Sequence, residues 1–333
     1  MENNLTVAIC AYNATKYIGQ TLEAIAAQTF QQFDLLIVND CSTDDTLEVV
    51  ESKLKGTNFK YSIVNLEKNR GAAYSRQKAL ERATTKYIIF IDADDLPLPT
   101  LLEQEYNLII GDSDIIAVSS WSKFIDENSD LIGGGLFVGV KSREEFEYKA
   151  REGKLIFLPI QTLMCRESAL RVGGFRLDGF PEGKPRYQDY CEDLDLWTRM
   201  SDLYVEEKYI ISIPKVLYLY RKSNSGLSSN AIYMTLKMRY VKQNLKLRRA
   251  DKSEISYVEF LGSVSDDDLK KLETEAKSGY YLRNGVMKLR KLSLILGVYY
   301  IIKSFTISPK YFWQKVKANS GFFILQIYRN DPR

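Results

Sequence analysis

The chain has 333 residues, 45% hydrophobic and 27% charged, which is ordinary for a soluble globular protein of one large or two smaller domains. It contains no histidine, which excludes Ser-His-Asp triads, His-ligated zinc and a histidine general base; acid–base chemistry falls to carboxylates, Lys, Tyr or Cys. The formal net charge is only +3, yet Tyr280 to Arg333 carries ten Lys and Arg against one acid, Asp331, while the preceding residues carry 36 basic and 42 acidic side chains. A mildly acidic body with a basic tail predicts two surfaces with different partners. Cys10, Cys41, Cys165 and Cys191 lie far apart without a CxxC pair, as in a reduced intracellular protein. Met1-Glu2-Asn3-Asn4 leads directly into an apolar run with no basic start or signal core, so a cytoplasmic location is expected.

Leu5–Cys10 reads as a first strand and Ala11-Tyr12-Asn13 as the turn after it. Thr15 is placed to cap a helix from Lys16 to Ala27, whose Ile18, Leu22, Ile25 and Ala26 keep helical spacing. Phe33–Val38 is a second strand ending at Asn39-Asp40, and Ser42 or Thr43 can cap a helix starting near Asp44. Tyr61–Leu66 is a third strand; Asn69-Arg70-Gly71 and a helix over Ala72–Ala83 follow. Tyr87–Ile91 is a continuous apolar run that stops at Asp92, Asp94 and Asp95, which predicts a strand buried on both faces with carboxylates at its end. Alternating strands and helices at these spacings predict an α/β fold with a mainly parallel central sheet. A helix over Thr100–Ile109, a strand at Ile115–Ser119, a flexible loop at Gly133-Gly134-Gly135 and an exposed helix within Lys141–Gly153 come next. Asp178–Arg186, with Gly179, Pro181, Gly183 and Pro185, predicts a loop over a site. Leu194–Met200 is an amphipathic helix with Glu192 and Asp193 in its first turn.

The chemistry concentrates in the acids. Asp92 and Asp94 are two apart, so on an extended segment they face the same way. Two hard oxygen ligands at the carboxyl end of a parallel strand suit Mg²⁺ or Mn²⁺, which bind through a few carboxylates plus substrate phosphates. Read alone, Asp94-Asp95-Leu96-Pro97 is equally an acidic turn, and Glu192-Asp193 equally a favourable pairing of acids with a helix dipole. The GxGxxG dinucleotide fingerprint and the P-loop are both missing.

Taken together, these motifs resemble the inverting glycosyltransferases of glycosyltransferase family 2, which have the GT-A type nucleotide-sugar-binding fold. Ala11-Tyr12-Asn13 is similar to the family's opening Thr-Tyr-Asn, and Asn39-Asp40-Cys41-Ser42-Thr43-Asp44 to its Asp-Asp-Gly-Ser-Thr-Asp stretch. Asn69, Gly71, Ser75, Arg76 and Gln77 match its Asn-x-Gly…Ala-Arg-Asn pattern. Asp92-Ala93-Asp94 is the Asp-x-Asp motif, Glu192-Asp193 the Glu-Asp motif, and Val172-Gly173-Gly174-Phe175 a further signature. The resemblance covers about residues 5–230, expected to form the transferase domain, with 231–333 a helical, basic C-terminal region. It implies a nucleotide-sugar donor, a UDP-sugar favoured, with Ala11, Tyr12, Asn13, Asp40, Asn69, Gly71, Arg76, Asp92, Ala93 and Asp94 at the donor nucleotide. Asp92 and Asp94 would hold the divalent ion, Asp193 would be the general base and Glu192 would position the acceptor, a glycan or lipid-linked hydroxyl. The chain departs from the pattern at Asn39, at Gln77 and at Ser223, which stands where the family's Tyr-Arg-x-His loop has histidine. Arg221, Lys222 and Ser223 are the candidates for holding the diphosphate. A nucleotidyltransferase and a catalytically silent sugar-nucleotide or membrane-binding subunit are the alternative readings.

In the tail, Ser265-Asp266-Asp267-Asp268 opens a helix. Leu292–Ile302 is uncharged, flanked by Arg290-Lys291 and Lys303, and followed by Tyr311-Phe312-Trp313 and Phe322–Leu325. It is too short to span a bilayer and suits either an anionic membrane surface on the cytoplasmic side or a core helix. The acidic body and the lack of a recognition motif argue against nucleic acid.

Overall fold

The computed structural model describes residues 3–222, 230–290 and 293–317. In the first half the elements are β1 (Leu5–Ala11), α1 (Ile18–Ala26), β2 (Phe33–Asn39), α2 (Thr46–Leu54), β3 (Lys60–Asn65), α3 (Ala72–Arg82) and β4 (Tyr87–Asp92). The cores of β1, β2 and β4 are buried on both faces, as their unbroken Val, Ile and Leu runs require. Pairing is parallel from β2 to β3, β1 to β2 and β1 to β4. The register sets Cys10 opposite Asp92, Ala11 opposite Asn39 and Asn39 opposite Asn65. Four strand ends therefore finish level, and everything attached to their carboxyl ends shares one crest, where open α/β sheets bind ligands.

The second half comprises β5 (Leu96–Pro97), α4 (Leu101–Gly111), β6 (Ile115–Ile125), β7 (Leu131–Phe137), α5 (Arg143–Arg151), β8 (Leu163–Cys165), α6 (Arg166–Arg171), α7 (Glu192–Met200), β9 (Tyr209–Arg221), α8 (Ala231–Arg249) and α9 (Tyr257–Gly262). The sheet order is β3-β2-β1-β4-β8-β6-β9-β5, with β7 on β6. Antiparallel β8 joins β4 to β6, and β6 runs parallel to β9. The last elements are α10 (Asp266–Arg290) and α11 (Leu294–Ile307).

Three local expectations change. Gly133-Gly134-Gly135 lies within β7, at a register shift where Lys123 pairs Leu136 and Phe124 pairs Ile132. The glycines are the residues left unpaired by that irregularity, a role glycine fills in an edge strand. Thr15 does not cap α1, which starts after Tyr17 without a side-chain cap. Ser42 and Thr43 do not cap α2 either: the Ser42 hydroxyl accepts from Asn13 N at 3.1 Å. Both hydroxyl sets are spent on joining the loops after β1 and β2.

The chain divides into two compact units, Met1–Val258 and Glu259–Arg333. The sequence places the change of region at residue 230, but α8 lies in the first unit, burying Leu236, Tyr240, Val241 and Leu245. No helix among the described residues is long and apolar enough to cross a membrane.

Candidate active site

The acids of β4 and α7 converge on one guanidinium. Arg76, buried on α3, donates from one terminal nitrogen to Asp92 Oδ1 at 2.7 Å and from the other pairs with Glu192. Burial alone would favour loss of its proton, and Asp92 beside it overrides this and raises its pKa. Asp193 follows Glu192 and accepts from Leu194 N at 2.7 Å. Burial raises the Asp193 carboxyl pKa, with Arg76 opposing and Asp92 adding to the rise. Asp94 is pushed up to about 6 by burial and by the charge of Asp92. Four carboxylates thus gather around Arg76, with Arg221 also acting on Asp94, and Asp92, Asp94 and Asp193 keep part of their surface open to solvent. Such a surplus of negative charge is costly unless a further cation is bound or protons are taken up.

The donor-side residues form the adjoining part of the crest. Asn13, at φ +49°, accepts from Thr43 N at 2.8 Å, which clasps the turn Ala11-Tyr12-Asn13 to the loop after β2; Tyr12 is half exposed. Asp40 is buried and accepts from Asn69 Nδ2 (3.0 Å), Arg70 N (2.7 Å) and Gly71 N (2.8 Å). Burial raises its pKa against the pull of those bonds. Gly71 sits at φ +94° at the start of α3, and a Cβ there would lie 2.2 Å from Asp189 Oδ2, so only glycine fits. Asp189 in turn accepts from Ala73 N at 2.9 Å. Arg186, from the loop rich in glycine and proline, donates to Asn69 O at 2.7 Å and also reaches Asn69 Oδ1. That loop is therefore tied to the crest.

The expected diphosphate residues lie otherwise. Arg221 is buried at the end of β9, donating from Nε to Asp94 O (2.7 Å), from one terminal nitrogen to Asp126 O (2.8 Å) and from the other to Gln20 Oε1 (3.3 Å). Its guanidinium also stacks over Tyr17, 4.3 Å from the ring centre. Most of its donors go to the protein, and through Asp94 O it fixes the backbone of the Asp-x-Asp turn. Lys222 lies over the rings of Phe124 and Tyr220 at 4.5 and 5.0 Å. Ser223 lies outside the described residues, as do Leu292 and Phe322–Leu325.

Sequence reasoning missed the supports. Asp95 is fully buried and accepts from Arg221 N at 2.7 Å; burial drives its carboxyl pKa well up. Asp195, buried on α7, accepts from Arg199 Nε and a terminal nitrogen at 3.0 and 2.8 Å and lies 3.7 Å from Arg176. Arg199 then donates to Gly174 O at 2.6 Å and to Val172 O, fixing the Gly-Gly turn. The i,i+4 spacing of Asp195 and Arg199 was the available signal. Near Asp195, Lys237 of α8 is buried with its ammonium 3.8 Å from the Phe180 ring centre, and burial lowers its pKa to about 7 despite Asp195.

The profile of glycosyl transferase family 2 matches residues 6–175. An uncharacterized glycosyltransferase of Methanocaldococcus jannaschii is 29% identical over 196 residues, 59% of this chain and 63% of that protein. TuaG of Bacillus subtilis, named as a teichuronic acid biosynthesis glycosyltransferase, is 32% identical over 127 residues, 38% of this chain and 50% of its own length. The chain thus spans less than two thirds of these relatives. Among solved structures, residues 1–349 of Staphylococcus aureus TarS in complex with UDP-GlcNAc superpose with TM-score 0.57 at 19% identity, covering 92% of this chain and 91% of that one. The mannosyltransferase PcManGT of Pyrobaculum calidifontis, in complex with GDP-Man and Mn²⁺, gives 0.52 at 19% identity, covering 99% and 83%. Likeness at that identity shows a common GT-A fold.

Proposed function

Because this chain belongs to glycosyl transferase family 2, we propose that it moves a sugar from a nucleoside-diphosphate sugar to an acceptor hydroxyl with inversion at the anomeric carbon. The observation that carries the reading is the crest itself: Asp92, Asp94, Glu192 and Asp193 gathered around Arg76, with only Arg221 behind Asp94 as a second cation among the described residues. Such a set fits a divalent cation bound by Asp92 and Asp94, with remaining ligands from water and the donor diphosphate, since Mg²⁺ and Mn²⁺ sites are commonly built that way. No group of three or more His, Cys, Asp or Glu side chains placed to hold a metal ion occurs among the described residues. When bound, the ion would offset charge developing on the departing diphosphate. That PcManGT was solved with GDP-Man and Mn²⁺ supports the assignment.

The chain's own residues divide the remaining work. Asp40 accepts three hydrogen bonds from the 69–71 loop and lies beside the Ser75 hydroxyl; its place at the donor base, beside Tyr12 and Asn13, follows from the family pattern. Arg76 orients Asp92 and Glu192. Asp193 takes the acceptor proton as the acceptor oxygen bonds to the anomeric carbon and the carbon–oxygen bond to the diphosphate breaks, its electron pair leaving with the nucleoside diphosphate. Burial makes Asp193 a stronger base than a solvated aspartate, as a general base near neutral pH requires. UDP is the favoured nucleotide, by the TarS complex with UDP-GlcNAc. Relatives named for teichuronic acid and teichoic acid polymers point to a glycan or lipid-linked envelope acceptor.

Asp193→Asn tests the base. With donor and an acceptor panel, turnover should fall about 10²–10⁴-fold while donor affinity stays within about threefold of wild type. Unchanged turnover would remove Asp193 from the reaction.

A further inference from the structure

The second helix of the second unit, α11, turns most of its large apolar side chains outward. On α11, Leu294, Ile295, Val298, Tyr299, Ile302 and Phe305 are all exposed, Ile295 at 91%. Positions 295, 298, 299 and 302 return to one side of a helix, so these side chains form a continuous stripe. The buried residues of α11 are instead Gly297 and Ser304. Ser304 Oγ donates to Ser278 O at 2.8 Å, and Ser278 Oγ to Ser304 O at 2.9 Å. A Cβ on Gly285 would stand 3.1 Å from Gly297 O, and one on Gly297 would stand 3.0 Å from Leu289 N. The two backbones meet through glycine and serine, with the Ile301 and Leu289 side chains packed beside the glycines. A water-soluble amphipathic pair does the reverse, burying its large apolar side chains. Small residues inside with large apolar residues outside is how helices pair in lipid, where burying leucine against a partner gains little.

Length and charge narrow the occupant. At ~1.5 Å per residue the 14 residues of α11 reach about 21 Å, short of the ~30 Å hydrocarbon core. Lys303 flanks the stripe, its ammonium 4.5 and 5.4 Å from the ring centres of Tyr281 and Tyr299, and Trp313 is exposed downstream. Aromatic rings with lysines beside an apolar stripe match the headgroup layer, and the ten Lys and Arg against one acid from Tyr280 onward complement negative lipid.

We propose that the outward face of α11 seats this chain on an anionic lipid bilayer, lying in the headgroup layer without crossing it. The full chain is floated with vesicles of phosphatidylcholine containing about 30 mol% phosphatidylglycerol, and with pure phosphatidylcholine, in low and high salt. Expected are binding to the anionic vesicles, a several-fold loss in high salt, and at least a tenfold loss in the double variant Ile295→Glu/Ile302→Glu. Both positions are exposed, so the variant should keep the wild-type circular dichroism; Ile295→Ser/Ile302→Ser serves if it does not. Failure of the wild type to float, equal flotation of the variant, or equal binding to both vesicle types would overturn the proposal. So would a stable dimer in light scattering that the variant dissociates, since a second copy would then cover the face. Nucleotide binding by the same variant, read separately, keeps this test independent of the donor site.

Discussion

Replacing Asp195 by Asn changes almost nothing in shape and removes the negative charge on which α7 is fixed. Its side chain is 4% exposed, so solvent screening gives little relief. Arg199, Arg176 and Lys237 outweigh the cost of burial and hold the Asp195 pKa near 2, below the ordinary 3.8. At about 1.4 kcal/mol per unit, that depression contributes roughly 2 kcal/mol at neutral pH. Arg199 and Arg176 would then be left as cations with weaker acceptors, and breaking a buried pair from one side costs about 3–5 kcal/mol. Arg176 retains Glu254 at 2.8 Å, and Arg199 retains its carbonyl contacts, so about 2–4 kcal/mol is expected. For a unit of this size that lowers Tm by about 5–15 °C. Because the folded pKa is depressed, the contribution is complete above about pH 4 and disappears as pH falls through about 2. The assay is thermal unfolding by circular dichroism of both proteins, at pH 7 and at steps down to pH 3, where the difference should narrow. A variant melting within 1 °C of wild type at pH 7 would refute the argument that Asp195 anchors this helix.

Lys237 titrates the other way. Its folded pKa is lowered to about 7 by burial against an ordinary 10.5, so the unfolded chain binds more protons in that window and stability should rise with pH from 7 to 10. Lys237→Met should flatten that rise in unfolding curves, and an unchanged slope would count against it. Gly71→Ala meets Asp189 at 2.2 Å and a φ of +94°, which should cost about 2–3 kcal/mol and weaken UDP binding, measured by thermal shift and titration; wild-type stability would mean the turn readjusts freely. Arg76→Met leaves Asp92, Asp94, Glu192 and Asp193 without their shared guanidinium. Its Tm should drop, and millimolar Mn²⁺ should recover more of the loss than it adds to wild type; an equal Mn²⁺ effect on both would contradict the cation argument.

Much of this arrangement was legible in the sequence because it rests on local rules. The apolar run Tyr87–Ile91 could only be a buried strand, and its parallel neighbours place Asn39-Asp40 and Asp92 level by register alone. The Arg76 bridge to Glu192 joins residues 116 apart and has no local signal. The surroundings of Arg221 have no local signal for the same kind of reason: a basic residue at a strand end reads as exposed, while its burial depends on Tyr17, Gln20 and Asp126, which only the folded sheet brings together. The capping assignments failed because the hydroxyls near Asn13 had better partners across the loop than along their own helices. The glycine triplet, a loop signal by composition, became an irregularity in β7 because β6 extends far enough to pair on both sides of it.

On the proposed reading, the carboxylates at the end of β4 hold a nucleoside-diphosphate donor together with a divalent cation. The decisive experiment is calorimetric titration of the full chain with UDP and with UDP-GlcNAc, each with and without Mn²⁺. Binding that strengthens at least tenfold with Mn²⁺, and whose Mn²⁺ dependence disappears in Asp94→Ala, is the predicted result. Binding indifferent to Mn²⁺ and to Asp94, or no binding of any nucleoside diphosphate by the folded protein, would contradict it.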